Sequence, residues 1–283
     1  MKTVGFIDYF LHEWHANEYP AMIRAYNEKN GTDYQVKYAW AEINSPNGGM
    51  TTDEWCAHYG AERCATIEEL CAKCDHVFVL APSNPEKHLQ YAKAVFACGK
   101  SPYIDKTFAP DFATAKEIFD LAKSYGVKFF SSSALRYADE LNAYMGTAKA
   151  ISTVGGGSNL DEYIIHQIEM AVKCLGVGAE KVRYSKHASQ EWAEVAYADG
   201  RYATMMFAPC MPFVATVANA DGNSAYLPIN SAFFDNLISD IFHFFETGEN
   251  SFCACETLEV MKIREAVIKA KECADTWLFL EKM

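Results

Sequence analysis

Short apolar runs and helical stretches alternate without a break from Lys2 to Ser131, and that alternation restricts the first half of the chain to a parallel sheet covered by helices. Lys2–Asp8, Tyr34–Ala41, His76–Ala81 and Pro102–Asp105 read as strands, with Val127–Ser131 closing the set. Between them, Glu18–Lys29, Asp53–Tyr59, Ile67–Lys73, Pro85–Cys98 and Asp111–Tyr125 read as helices. The last is the clearest, because Ala115, Ile118, Phe119 and Ala122 share one face and Gly126 supplies a stop. Strands joined through helices need right-handed crossovers, so residues 1–133 are expected to form a Rossmann-like α/β domain.

Beyond Leu135 the texture changes. AISTVGGGSN is strand-like and glycine-rich, EYIIHQIEMAVKCLG is helical, and VRYSKHAS, AEVAYA, RYATMMFA and FVATVANA alternate as half-buried strands do. Asp199-Gly200 marks a hairpin in which both turn residues are expected at positive φ. Two helices, Ser231–Glu246 and Glu256–Leu280, end the chain around a break at Gly248-Glu249-Asn250. Residues 134–283 therefore read as a second α/β domain with an open, mainly antiparallel sheet.

Of the 283 residues, 50% are hydrophobic, enough for a full core, and the formal charge of −12 disfavours nucleic acid and anionic lipid surfaces. No run approaches the roughly eighteen apolar residues of a membrane span. Asp8, His12 and Glu13 interrupt the apolar start too early for a signal peptide, so a cytoplasmic address and ten reduced cysteines are expected. Cys71 and Cys74 follow a capping pattern at Thr66 and Glu69 and read as buried thiols on a helix rather than half a zinc site. No metal is expected.

The segments VFVLAPSNPEKH and AVFACGKSPYIDKTFAPDFATAKEIFDLAKSYGVKFFSSSALRY resemble the Gfo/Idh/MocA oxidoreductases, the family of glucose-fructose oxidoreductase and inositol dehydrogenase. Asp105-Lys106-Thr107 stands where that family carries Glu-Lys-Pro. His166 and FFDNLISDIFHFFETGEN…ETLEVMKIREAVIKA extend the resemblance over nearly the whole chain. It implies an oxidoreductase using NAD or NADP on a sugar, polyol or related hydroxy compound. It also implies a homo-oligomer joined through the second sheet, here expected to be trimmed because the chain is shorter than many relatives.

Lys106 falls just beyond a predicted strand's carboxyl end, where α/β sheets place ligands. Its ammonium suits a substrate hydroxyl and a developing alkoxide, with Asp105 beside it to orient the charge; on spacing alone it is a surface lysine. His166 lies four residues after Glu162 on one helix face, an arrangement that suits a carboxylate–imidazole relay. A lone histidine on an apolar helix is otherwise a core residue, and the family's spacing there is Asp-x-x-x-His. Arg136 either shapes the cleft floor or anchors a polar substrate group, or makes a domain-interface salt bridge, and Tyr163 offers a hydroxyl to the cleft. Asn84 and His88 follow the spacing of the family's cofactor segment, and Glu42, near the end of the second strand, suits a ribose hydroxyl.

The first turn conflicts with that resemblance. A dinucleotide turn uses GxGxxG so that bare backbone meets the diphosphate. Here the run is Asp8-Tyr9-Phe10-Leu11-His12-Glu13-Trp14-His15, without a glycine and with two carboxylates. Asp8 and His15 are the polar residues nearest any cofactor there. Two readings stay open: NAD(P) bound in an altered pose, or a cleft that has lost the dinucleotide and serves cofactor-independent lyase or epimerase chemistry or ligand binding.

Overall fold

The computed structural model describes residues 1–281. In chain order the elements are β1 (Lys2–Asp8), α1 (Trp14–Asn30), β2 (Tyr34–Ala41), α2 (Thr52–Tyr59), β3 (Glu62–Arg63), α3 (Ile67–Lys73), β4 (His76–Val79), α4 (His88–Ala97), β5 (Tyr103–Ile104) and α5 (Phe112–Tyr125). There follow β6 (Ala150–Gly155), α6 (Leu160–Leu175), β7 (Ala179–His187), β8 (Gln190–Tyr197), β9 (Tyr202–Phe207), β10 (Val214–Ala218), β11 (Ser224–Pro228), α7 (Phe233–Thr247), α8 (Ala254–Ala270) and β12 (Leu278–Phe279). Two compact units result: Met1–Ser131 with Leu237–Ser251, and Ser132–Asn236 with the residues from Phe252 onward.

The first unit holds a parallel sheet of order β3-β2-β1-β4-β5. Its strands are apolar on both faces, as a sheet covered twice requires, and Val4, Phe6, Ile7, Val77, Phe78 and Val79 are fully buried. The register sets Ile7 opposite Val79 and Val79 opposite Ile104. The carboxyl ends of β1, β4 and β5 therefore finish level, and Asp8, Leu80 and Asp105 meet at one edge, where the strand order reverses. Val127–Ser131, expected as a strand, contributes only a bridge between Tyr103 and Phe130. The expected 134–283 domain would have included Leu237–Ser251. Its aromatic face accounts for its packing with the first unit, where Phe242 stacks on Tyr34 and Phe245 on His76.

Among the described residues the second unit holds a sheet of order β11-β10-β6-β9-β8-β7-β12, antiparallel except for the β6–β9 pair. Helices α6 and α8 cover one face, burying Ile164, Ile168, Val172, Ile263 and Val267. Only Gly200 of the Asp199-Gly200 hairpin takes positive φ, at 86°. The expected two-residue turn is instead a three-residue loop, closed by Tyr197 N–H on Arg201 O and ending in glycine at the left-handed position. The final helix stops at Ala270 rather than Leu280. Asp275 turns the chain at φ 62°, and Leu278–Phe279 pairs with β7 as a sheet edge. Cys253 and Cys255 form a disulfide, against the expectation of ten reduced thiols, while Cys56, Cys64, Cys71, Cys74, Cys98, Cys174, Cys210 and Cys273 are free.

Candidate functional site

In the first unit the polar residues gather at the carboxyl edge of β1 and β5. Glu13 is the N-cap of α1, and its carboxylate accepts the N–H groups of His15, at 2.8 Å, and Ala16. Asp8 is buried, and its Oδ1 accepts from Tyr9 N at 2.7 Å and Ala81 N at 3.1 Å, while Oδ2 has no hydrogen-bond partner. Burial pushes the Asp8 carboxyl well above the usual range, and Glu13 adds to the shift; burial also raises Glu13. His15 Nδ1 is paired with Asp105 Oδ2, and Tyr103 donates its hydroxyl to Asp105 Oδ1 at 3.0 Å. Burial would raise the Asp105 carboxyl, but the imidazole beside it wins and holds it at about 2.

Lys106 follows directly. Its backbone N–H donates to Asp105 Oδ1 at 2.7 Å, and its half-buried ammonium donates to Pro82 O at 3.2 Å. Thr107 is buried at φ 47°, with its hydroxyl unpaired. Proline's ring fixes φ near −65°, so the backbone here is one that proline cannot adopt, and the Asp-Lys-Thr segment departs in shape as well as sequence from Glu-Lys-Pro. Glu42 accepts from Lys87 Nζ at 2.6 Å, Tyr91 hydroxyl at 2.6 Å and Gln90 at 2.8 Å. The Lys87 ammonium and the Tyr91 hydroxyl hold its carboxyl below the ordinary range. Asn84 donates to Glu86 at 3.0 Å, and His88 is fully buried with Nε2 on Leu80 O.

These facts test the dinucleotide that the resemblance implies. A diphosphate at a Rossmann turn takes the free N–H groups of the following helix. Two of those N–H groups are held by Glu13, a carboxylate supplied by the chain itself. Leu11 fills the core beneath the turn, and the loop after β2 closes over it, with Gly49 against the His12 ring where a Cβ would overlap. A diphosphate does not fit this turn. Of the expected cofactor residues, Asp8 accepts from the backbone N–H groups of Tyr9 and Ala81, and His15 is paired with Asp105. Among the described residues, no group of three or more His, Cys, Asp and Glu side chains is arranged to hold a metal ion.

In the second unit, Asn159 caps α6 by accepting from Glu162 N at 2.9 Å. Glu162 Oε2 turns back to the cap, accepting from Ser158 at 3.0 Å and Asn159 at 3.3 Å. One turn on, His166 Nδ1 is hydrogen-bonded to Ser133 Oγ at 2.6 Å, and the Tyr163 ring lies 5.5 Å from the imidazole. The glycine run before the helix permits close packing: a Cβ on Gly157 would overlap the Tyr163 ring, and one on Gly156 would meet three carbonyl oxygens at 2.6–2.8 Å.

Arg136 is buried, with Nη1 3.0 Å from Glu169 and Nη2 paired with Glu256, while Phe252 lies 3.9 Å from the guanidinium carbon. Both ion pairs lie within the second unit, so they are not the domain-interface bridge the sequence left open. Sequence reasoning passed over Glu169 and Ser133. Glu169 falls on the histidine's helix face at i+3, a usable signal, whereas nothing local marks Ser133.

The sequence model described as "Oxidoreductase family, NAD-binding Rossmann fold" (GFO_IDH_MocA) matches residues 21–133. The match begins inside α1, after the altered turn, and includes Lys106. A stretch of 61 residues is 36% identical to the uncharacterized oxidoreductase YhhX of Escherichia coli strain K12, covering 22% of this chain and 18% of that protein. The fold is similar to myo-inositol dehydrogenase from Lactobacillus casei, solved with NAD(H) and myo-inositol: TM-score 0.80, 11% identity, 100% of this chain and 97% of that one. GenD2 from gentamicin A biosynthesis, solved with NAD, gives a TM-score of 0.77 at 13% identity, again over 100% and 97%. At these identities the likeness is one of fold, and the coverage leaves no sign of the expected trimming. No helix among the described residues is long and apolar enough to cross a membrane. With the sequence match running from residue 21 through most of the first unit, and the likeness of fold over the whole chain, this protein is similar to the Gfo/Idh/MocA oxidoreductases.

Proposed function

We propose that this chain is an oxidoreductase like those it resembles, acting on a sugar, polyol or related hydroxy compound, with NAD or NADP bound in an altered pose through the remaining loops rather than by its diphosphate at the first turn. The observation that carries this reading is Lys106, a half-buried ammonium just past β5 inside the matched segment. Its proposed role is to donate a hydrogen bond to the substrate oxygen and to stabilise charge developing there. His166, steadied by Ser133, is the proposed proton acceptor, with Glu162 on the same helix face and Tyr163 contributing to substrate contact. Arg136 is proposed to shape the second unit from within rather than to touch substrate. The outer face of the second sheet is the proposed contact between copies in a homo-oligomer.

One observation favours a second reading. The Glu13 carboxylate occupies the α1 N–H groups on which a diphosphate depends. The same acid–base residues would then serve cofactor-independent lyase or epimerase chemistry, or ligand binding. Calorimetric titration of purified protein with NAD, NADH, NADP and NADPH, after a denatured sample has been checked for released nucleotide, separates the two. Micromolar binding of any of the four supports the oxidoreductase reading. Silence from all four, with no nucleotide released, overturns it in favour of the second.

A further inference from the structure

Cys253 and Cys255 are bonded across Ala254, and both are exposed. A bridge with a sequence separation of 2 closes a very small loop, so it removes little entropy from the unfolded chain. It is a weak structural staple in full view of solvent, and exposed disulfides belong to the readily exchanged class.

The helix beside it favours the reduced form. Cys253 is the N-cap of α8, in extended conformation, and its side chain makes no capping hydrogen bond. The side chains of Glu13, Thr51, Thr66, Asp111 and Asn159 do cap their helices. Tied to Cys255, the Cys253 sulfur is withheld from that role. Released as a thiolate, it lies at the positive end of a 17-residue helix, the environment that lowers a thiol's pKa. Glu256, the acid in the first turn, is ion-paired with Arg136, which offsets part of its charge.

We propose that Cys253-Ala254-Cys255 is a thiol-exchange site, a two-electron dithiol–disulfide couple that reacts with low-molecular-weight thiols of the glutathione class. A donor thiolate attacks Cys255 Sγ, the intramolecular S–S bond breaks, and Cys253 leaves as the thiolate at the start of α8. A second donor thiolate attacks the donor sulfur of the mixed disulfide, releasing the oxidised donor dimer and the Cys255 thiolate. Two donor thiols are oxidised, one protein disulfide is reduced, and the two donor protons end on the protein thiols or in solvent. The exchange does not depend on the catalytic reading above. It sits close to it nonetheless, because Phe252 and Glu256 flank the pair and both hold Arg136, which grips Glu169. Glu169 in turn accepts from Ser133 N at 3.1 Å.

The test equilibrates the full-length protein in buffers running from excess oxidised to excess reduced glutathione, followed by acid quenching and alkylation. Cleavage after Glu249 and Glu256 releases the peptide 250–256, which contains no other cysteine. The expected result is a peptide without label in the oxidised buffers that passes to the doubly labelled form within the series. The Cys253→Ser variant should trap one glutathione adduct on Cys255. A peptide that stays unlabelled at the highest reduced excess would make the bridge structural. One doubly labelled even in oxidised glutathione would mean that no couple exists. Either result overturns the proposal.

Discussion

At the scale of single residues, the first unit keeps two carboxylates in opposite electrostatic states. Asp8 is raised by burial, so its folded form favours the proton: the stability it contributes is present below the unfolded pKa of about 4 and is lost as pH climbs through the raised value. Asp105 is held at about 2 by His15 after burial is overcome, so its contribution is present above about pH 4 and lost as pH falls toward 2. Asp8→Asn keeps the Oδ1 acceptor for Tyr9 and Ala81 and removes a buried charge. It should raise stability at pH 8 by on the order of 1–3 kcal/mol, with the gain vanishing near pH 4 in denaturation series. A variant less stable at pH 8 would show that the charge itself is needed. Thr107 gives a backbone test, since a left-handed threonine is strained by about 1–2 kcal/mol. Thr107→Gly should recover up to about 1 kcal/mol, and Thr107→Pro should cost about 3 kcal/mol or more, read from urea midpoints. Lys106→Ala and His166→Ala should leave the melting temperature nearly unchanged and lower turnover at least about 100-fold. Strong destabilisation would mark either residue as structural.

At the scale of elements, Arg136 ties the turn after the first unit to α6 through Glu169 and to α8 through Glu256. Removing one member of a buried ion set leaves a charge stranded, so Arg136→Ala should destabilise the protein by about 3–5 kcal/mol in denaturant titration. Unchanged stability with weakened ligand binding would instead return Arg136 to the substrate. The sequence shows periodicity and punctuation well, and α2, α3, α5 and β2 lie within a residue or so of where capping residues and apolar spacing put them. It shows poorly whatever depends on distant partners. Nothing local says that Leu237–Ser251 packs with the first unit, that Val127–Ser131 pairs only through Phe130, or that the last strand is added across β7. The site follows the same division. Lys106 and His166 are legible from their place on strand and helix, whereas Ser133 and the Asp105–His15 pair arise only when segments 33 and 90 residues apart are brought together.

At the scale of the whole molecule, the second sheet presents an outer face fixed by register. Trp192, Met206, Val154 and Val214 form one cross-strand row, and Glu194, Thr204, Ser152 and Thr216 the next. The row is bound laterally, with Thr204 donating to Ser152 at 2.7 Å and Arg183 to Glu194 at 2.6–2.8 Å, so its hydrogen bonds are largely met within the sheet. Such a face offers apolar area with few unpaired polar groups, the composition that favours association of like surfaces around a two-fold axis. If copies join here, a single buried carboxylate in the apolar row is placed against its own symmetry mate or near it. Met206→Glu should then convert the oligomer to monomer in light scattering at tens of micromolar, while circular dichroism stays that of the folded chain. A wild-type protein that is monomeric at that concentration, or a variant whose mass is unchanged, would remove this face as the contact. Because Met206 lies on the side opposite α6, a change of assembly that left the proposed His166 chemistry intact would also separate oligomer formation from catalysis.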